Sequence, residues 1–211
     1  MRSERLKWEA RYRAGDRPHD GPPSSLLARW LPRLPRGRAL DVATGFGRNA
    51  LFLARAGYRV DAIDIAPTCL GEAARRARRR GLRVRWIEAD LDHYRLPRGR
   101  YDVVVNAFFL KRGLFPALRA AVRPGGVVVF ETHLASAAAP SRVRTPAHRL
   151  RPGELARRFR GWEILEYAEG VFTEAGQCVA LGRIVARRPR GDARREARHR
   201  PPRRAGGSAS R

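Results

Sequence analysis

Lysine and cysteine are scarce in this chain, and each scarcity excludes something. Of 45 basic residues, only Lys7 and Lys111 are lysine; the rest are arginine. A bias toward one basic residue is common in GC-rich genomes and says little about partners. It therefore weakens the net charge of +25 as a mark of nucleic-acid binding. The two cysteines, Cys69 and Cys178, form no CxxC pair, which argues against a zinc knuckle or a disulfide framework. No window approaches the ~18 uninterrupted apolar residues of a membrane helix. The stretch MRSERLKWEARYRAG lacks the apolar centre of a secretory signal, so the expected location is the cytoplasm. There is no internal repeat. His19, His93, His133, His148 and His199 are scattered, and no metal is expected.

What is present suits one medium domain with a tail. The chain has 211 residues, 43% of them hydrophobic, enough for a core. Residues 187–211 hold ten arginines against Asp192 and Glu196, a net +8 without apolar periodicity. Residues 189–211 are expected to be a disordered, solvated extension, with a nucleic-acid arm as the alternative.

Residues 3–13 predict a short helix around Leu6, Trp8 and Tyr12. Ser24 and Ser25 can cap a second helix running to Leu31, before Pro32 and Pro35. An alternation then begins. Strands are expected at 38–43, 58–63, 82–88, 101–106 and 127–131. Between them, helical spacing appears at 48–56, from Pro67 through Leu70, Ala73, Ala74 and Ala77, and at Leu114, Ala117, Leu118 and Ala121. Arg123-Pro124-Gly125-Gly126 reads as a turn. A helix near 152–159 and strands at 162–169 and 178–186 complete the pattern. Strands alternating with helices imply an α/β fold with a mostly parallel sheet and helices on both faces.

The chemistry concentrates at strand ends. In an open α/β sheet, ligands bind beyond the carboxyl ends of the strands. Gly45 and Gly47 follow the first strand, where glycine permits a tight turn and lets a ligand meet bare backbone. Gly45-Phe46-Gly47-Arg48-Asn49-Ala50 fits G-x-G-x-x-A, so a dinucleotide such as NAD must be weighed. Asp41, inside the strand, argues otherwise. It would repel a pyrophosphate and welcome an ammonium or sulfonium. Asp64 ends the second strand, where its oxygens can accept ribose hydroxyls. Asp90 ends the third, where an adenine amino group can be met. Three carboxylates at consecutive strand ends fit S-adenosylmethionine better than NAD. The plain alternative is that each aspartate caps the segment after it.

Several stretches narrow the choice: WEARYRAG, GPPSSLL, LDVATGFGRNALFLARAGYRVDAIDIAP, EADLDHY, YDVVVNAFFLKRGLFPALRAAVRPGGVVVFETH and LRPGEL. In these pieces, from residue 8 to about 155, the chain resembles class I S-adenosylmethionine-dependent methyltransferases, and within them the small tellurite-resistance type. The resemblance implies a Rossmann-like, seven-stranded sheet whose last strand is antiparallel. It places the domain at 1–188, with 1–36 as a helical cap. The expected cofactor-binding set is Asp41, Gly45, Gly47, Asp64, Ile65, Asp90, Leu91 and Asn106.

Methyl transfer from a sulfonium needs positioning and exclusion of water rather than a triad or a metal. The methyl acceptor belongs beyond strands four and five, at 106–112 and 131–133. Asn106-Ala107-Phe108-Phe109 lacks the prolines found there in relatives that methylate amines and bases, which disfavours a nucleobase. Phe108 and Phe109 wall the site or belong to the core. Arg112 and His133 are the candidate catalytic residues. With His148 and Arg149 they could hold a thiol or a tellurite- or selenite-type oxyanion. The alternative for Arg112 is a structural pair with an acid such as Glu131. A basic nucleic-acid-associated protein is the competing class, and a nicotinamide-dependent reductase would need more chain.

Overall fold

The computed structural model describes residues 2–15, 21–135, 143 and 145–190. Its strands are β1 (Arg38–Val42), β2 (Arg59–Asp64), β3 (Val84–Glu88), β4 (Tyr101–Ala107), β5 (Val122–His133), β6 (Glu163–Glu174) and β7 (Gln177–Arg187). The α-helices are α1 (Arg2–Arg13), α2 (Ser25–Trp30), α3 (Arg48–Arg55), α4 (Pro67–Arg79), α5 (Phe115–Ala121) and α6 (Glu154–Arg158). The sheet order is β3-β2-β1-β4-β5-β7-β6. β7 runs antiparallel to both of its neighbours, as expected of the closing hairpin. From β1 the chain builds outward through β2 and β3, then returns to pair β4 with the other side of β1. That reversal opens a crevice above the ends of β1 and β4.

Both faces of the central strands are covered, so β4 and β5 read as valine runs rather than as an alternation. One face buries Leu40, Val104, Val128 and Phe130. There Phe115 stacks on Phe130 at 5.2 Å, and Phe159 meets Phe115 edge-on at 5.9 Å. The other face buries Ala39, Val103, Val105, Val127 and Val129 together with Leu26, Leu27, Ala50 and Leu53. Removing one of these larger side chains costs about 2–5 kcal/mol, the range for a core cavity.

Two boundaries differ from the sequence-based expectation. The 123–126 turn lies within β5. Gly125 N–H donates to the Arg188 carbonyl at 2.9 Å, and Arg188 N–H donates to the Gly126 carbonyl at 2.8 Å. The last hairpin is longer than expected, because Ala175 (φ 47°) and Gly176 (φ 77°) form a two-residue turn with both φ positive. Alanine at the first of these positions hid the signal. The Arg188 guanidinium donates to the Val122 carbonyl, and Arg190 lies against Gly125. Residues 191–211 lie outside the described residues. Among the described residues, no helix is long and apolar enough to cross a membrane.

Candidate functional site

β1 ends in a tight left-handed passage. Ala43 (φ 50°), Gly45 (φ 55°) and Gly47 (φ 75°) turn the chain before α3 begins. The glycines answer to packing as well as to conformation. A Cβ on Gly47 would sit 2.7 Å from Trp86 Cη2 and 3.1 Å from the Ala73 methyl; one on Gly45 would sit 3.1 Å from Tyr12 Oη. The loop is therefore pressed by β3, α4 and α1 at once. The buried Arg76 adds a hydrogen bond to the Phe46 carbonyl at 3.2 Å.

Two buried carboxylates hold this loop. Asp41 accepts from the Thr44 hydroxyl, and from Ala50 N–H at 3.1 Å. Burial pushes its carboxyl up to about 6, against the pull of Thr44 and the Arg48 guanidinium. Asp64 accepts from Gly45 N–H at 2.8 Å and from Ala66 N–H at 3.1 Å. Burial raises it too, against those same amides. The loop, Asp41 and Asp64 thus form one hydrogen-bonded unit. Asp90 lies two residues past the end of β3 and accepts from Asp92 N–H at 2.9 Å, the local capping role that was the plain alternative. Ile65 packs beside Phe46 and Leu70. Leu91 packs against the core that holds Leu40 and Phe130. Asn106 is buried and donates to the Phe109 carbonyl at 2.7 Å, which bends the chain as it leaves β4.

The roof over this unit is α1, a role that the sequence reading left as an unassigned cap. Tyr12 is buried, and its ring meets Phe46 edge-on at 5.1 Å. Glu9 is buried beneath the helix and accepts from Thr68 N–H at 3.0 Å and from the Thr68 hydroxyl, capping the start of α4 from a distant segment. The available signal was Trp8 and Tyr12, four residues apart on one helical face.

Beyond β4 and β5 the structure rearranges the expected acceptor residues. The Arg112 guanidinium is engaged by the segment around α6. Its Nε and Nη2 donate to Glu154 at 2.8 Å each, and it also donates to the carbonyls of Ala147 and Arg149 at 2.6 and 2.8 Å. Four of its five N–H groups hold the segment before α6. The pairing alternative was correct in kind, but Glu154 is the partner rather than Glu131. His148 is exposed in a short 3₁₀ turn. His133 does stay at the end of β5, with its ring 5.5 Å from that of Phe108. Phe108 has φ 60°, an unusual conformation for a bulky residue and one that clusters at functional sites. Of the two phenylalanines, Phe108 faces this mouth, while Phe109 packs against the core.

Two pairings there were not anticipated. The Arg48 guanidinium lies 5.2 Å from the centre of the Phe108 ring, a cation–π distance. Glu131 faces Arg183 directly across the β5–β7 ladder. Arg183 Nε approaches Glu131 Oε2 at 3.0 Å, and Arg183 also pairs with Glu174. Arg48 and Phe108, like Glu131 and Arg183, are remote in sequence, which is why spacing did not reveal them.

Comparison with known proteins agrees with this geometry. Residues 39–126 match the family described as "Methyltransferase domain". The chain is 31% identical over 141 residues to hemagglutinin 1 of Eikenella corrodens, an alignment covering 64% of this chain and 46% of that protein. It is 44% identical over 80 residues to the demethylmenaquinone methyltransferase of Thermus thermophilus, covering 37% of this chain and 36% of that one. The chain thus spans less than half the length of these curated relatives. A protein solved in work on converting a disulfide bond into a thioacetal group during echinomycin biosynthesis superposes with TM-score 0.70 at 24% identity, over 92% of this chain and 97% of its own. TehB from Haemophilus influenzae superposes with TM-score 0.66 at 20% identity, over 77% of this chain and 61% of its own.

Proposed function

We propose that the chain is a class I, S-adenosylmethionine-dependent methyltransferase, a reading supported by the match of residues 39–126 to a methyltransferase domain, and that it methylates a small molecule bearing a soft nucleophile, a thiol or a tellurite- or selenite-type oxyanion. The observation that carries this reading is the hydrogen-bonded unit of Asp41, the Gly45–Gly47 turn and Asp64 at the sheet's reversal point. The donor set fits the cofactor. Asp41 is a buried carboxylate whose charge is disfavoured by burial, and a cationic ligand relieves that cost. A pyrophosphate would add negative charge beside it.

In this reading Asp64 and Asp90 hold the cofactor's polar hydroxyl and amino groups. Gly45 and Gly47 bring backbone close, Ile65 and Leu91 flank the adenine, and Asn106 borders the transfer site. When bound, S-adenosylmethionine supplies an electrophilic methyl group on a sulfonium. The protein's work is orientation and exclusion of water. α1 covers the cofactor side through Tyr12 and Glu9. Phe108, Arg48 and His133 border the acceptor side. The soft-nucleophile assignment draws support from the two structural neighbours, one concerned with sulfur chemistry and the other being TehB.

Calorimetric titration with S-adenosylmethionine tests the first part, followed by a transfer screen over thiols, selenite, tellurite, amines, RNA and DNA. Asp64→Ala is expected to weaken cofactor binding by about 1–3 kcal/mol, the loss for charge-assisted hydrogen bonds. Tight binding of NAD(H) with none of S-adenosylmethionine would sink the reading. Transfer to nucleic acid alone would replace the acceptor class.

A further inference from the structure

The carboxylate of Glu131 raises a question that the fold does not answer. It is 1% exposed at the end of β5; the Ser24 hydroxyl is its one hydroxyl neighbour, too poorly placed to give either oxygen a hydrogen bond of regular geometry. The Arg183 approach at 3.0 Å is an ion pair only. Buried polar atoms without hydrogen bonds are rare, because each carries a desolvation cost. This one stands on the face of the sheet that carries His133, and its own backbone carbonyl accepts Phe108 N–H at 2.9 Å.

We propose that Glu131 is the proton acceptor for the incoming nucleophile, and that the acceptor is therefore a protonated one, a small thiol, rather than an oxyanion. This deepens the proposed function and rests on it. The electrostatics point the same way. Arg112, the cation expected to hold an oxyanion, is bound to Glu154. The charged groups around Glu131 balance: Arg183 from β7 and Arg48 from α3 against Glu174 from β6 and Glu131 itself. A balanced site gives an oxyanion no net attraction. The remaining neighbours are the Ser24 hydroxyl at the α2 cap and His133 on β5. Burial raises the Glu131 carboxyl above the ordinary glutamate value, with Glu174 adding to the rise while Ser24, Arg183 and Arg48 oppose it. A carboxylate so raised is a better base for a thiol than an exposed one.

The step balances as a displacement. The acceptor's S–H bond breaks and its proton passes to Glu131. The freed sulfur pair forms the S–CH₃ bond while the methyl–sulfonium bond breaks, its electrons staying on the cofactor's sulfur. Arg183, paired with Glu174, stays cationic throughout and positions the carboxylate.

The experiment uses the full chain, S-adenosylmethionine and two small thiols of different acidity. In the wild type, the low-pH limb of the transfer rate is expected at one pH for both thiols, set by the protein. In Glu131→Gln, the limb is expected to move to each thiol's own pKa. The neutral-pH rate should fall about 100-fold, the usual scale of general-base catalysis, with cofactor affinity held within about threefold. A wild-type limb that follows each thiol's own pKa overturns the proposal even if the variant fails to fold. So does an enzyme that binds cofactor and methylates selenite but no thiol. Failure to bind S-adenosylmethionine would instead overturn the reading beneath it.

Discussion

The two sides of the crevice close their polar groups in different ways. On the β1–β2 side the partners are near in sequence. Asp41 bonds residues three and nine positions away, and Asp64 bonds residues two and nineteen away. On the β5–β7 side they are remote. Ser25 reaches Glu174 across 149 positions and Arg183 across 158, and Arg112 reaches Glu154 across 42. The near side is a self-contained unit that any relative can inherit whole. The far side exists only once the sheet has closed, and its chemistry can vary without disturbing the near one.

The largest expected effect breaks the near side. Gly47→Val forces a β-branched residue into φ 75° and drives its Cβ to 2.7 Å from the Trp86 indole. Backbone strain and overpacking together should cost about 3–5 kcal/mol. Thermal unfolding should show a large fall in Tm or no folded protein, and titration should show no cofactor binding. An unchanged Tm would mean that the loop is not clamped as described.

The next sharpens the electrostatics of that same side. The Asp41 carboxyl is about 6 in the folded protein against an unfolded 3.8, so the folded state binds more protons between those values. Stability therefore falls as pH rises from about 4 to 6, by up to about 3 kcal/mol, since one unit is worth about 1.4 kcal/mol. Asp41→Asn should flatten that slope in a Tm-against-pH series. In the wild type, affinity for the cationic cofactor should rise over the same window as Asp41 ionises. A slope unchanged in the variant would assign the effect to another group.

Legibility in the sequence followed the same division. The near side could be read because its hydrogen bonds lie within one strand–loop–helix unit, so Asp41, Gly45, Gly47 and Asp64 appeared together with their spacing. Even there the reason for Gly47 was missed. The contact is Trp86, which comes from β3 across the sheet. The parallel direction of the central strands also followed from the alternation, since crossover connections dictate it. On the far side, the nearest acids to Arg112 gave no hint of Glu154, because a 3₁₀ turn and a bridge between Leu134 and Leu150 set that meeting. Glu131 stood in view within FETH, but its partner Arg183 lay in the last strand. Arg48 was read as a helix start. Only the kink at Phe108 puts an aromatic face under it.

Arg112→Ala tests whether the far side is architecture at that point. Burial alone would raise the Glu154 carboxyl, but the Arg112 hydrogen bonds, helped by Arg151 N–H and Arg158, hold it below its ordinary value. Removing the guanidinium leaves a buried carboxylate with only partial compensation and frees the carbonyls of Ala147 and Arg149. The expected cost is about 1–3 kcal/mol, at the lower end because Arg112 is partly exposed. Tm should drop while S-adenosylmethionine affinity stays within about threefold. A stable variant with lost transfer to selenite or tellurite would restore the anion-clamp role.

The smallest effect concerns the arginine-rich end. The chain is docked as far as Arg188, which ties β7 to Gly126 and to the Val122 carbonyl, and Arg190 touches Gly125. Residues 191–211 carry seven arginines with Asp192 and Glu196 and have no apolar spacing. Truncation after Arg190 should therefore shift Tm by less than about 0.5 kcal/mol equivalent, the range for surface changes, and leave cofactor affinity unchanged. Truncation after Arg187 should cost more, because it removes the Arg188 bonds that seat β5 against the end of β7. Equal Tm values for the two truncations would show that those bonds do not matter. Loss of salt-sensitive nucleic-acid binding in the shorter truncation would give the tail a function of its own, since phosphate contacts weaken steeply as salt rises.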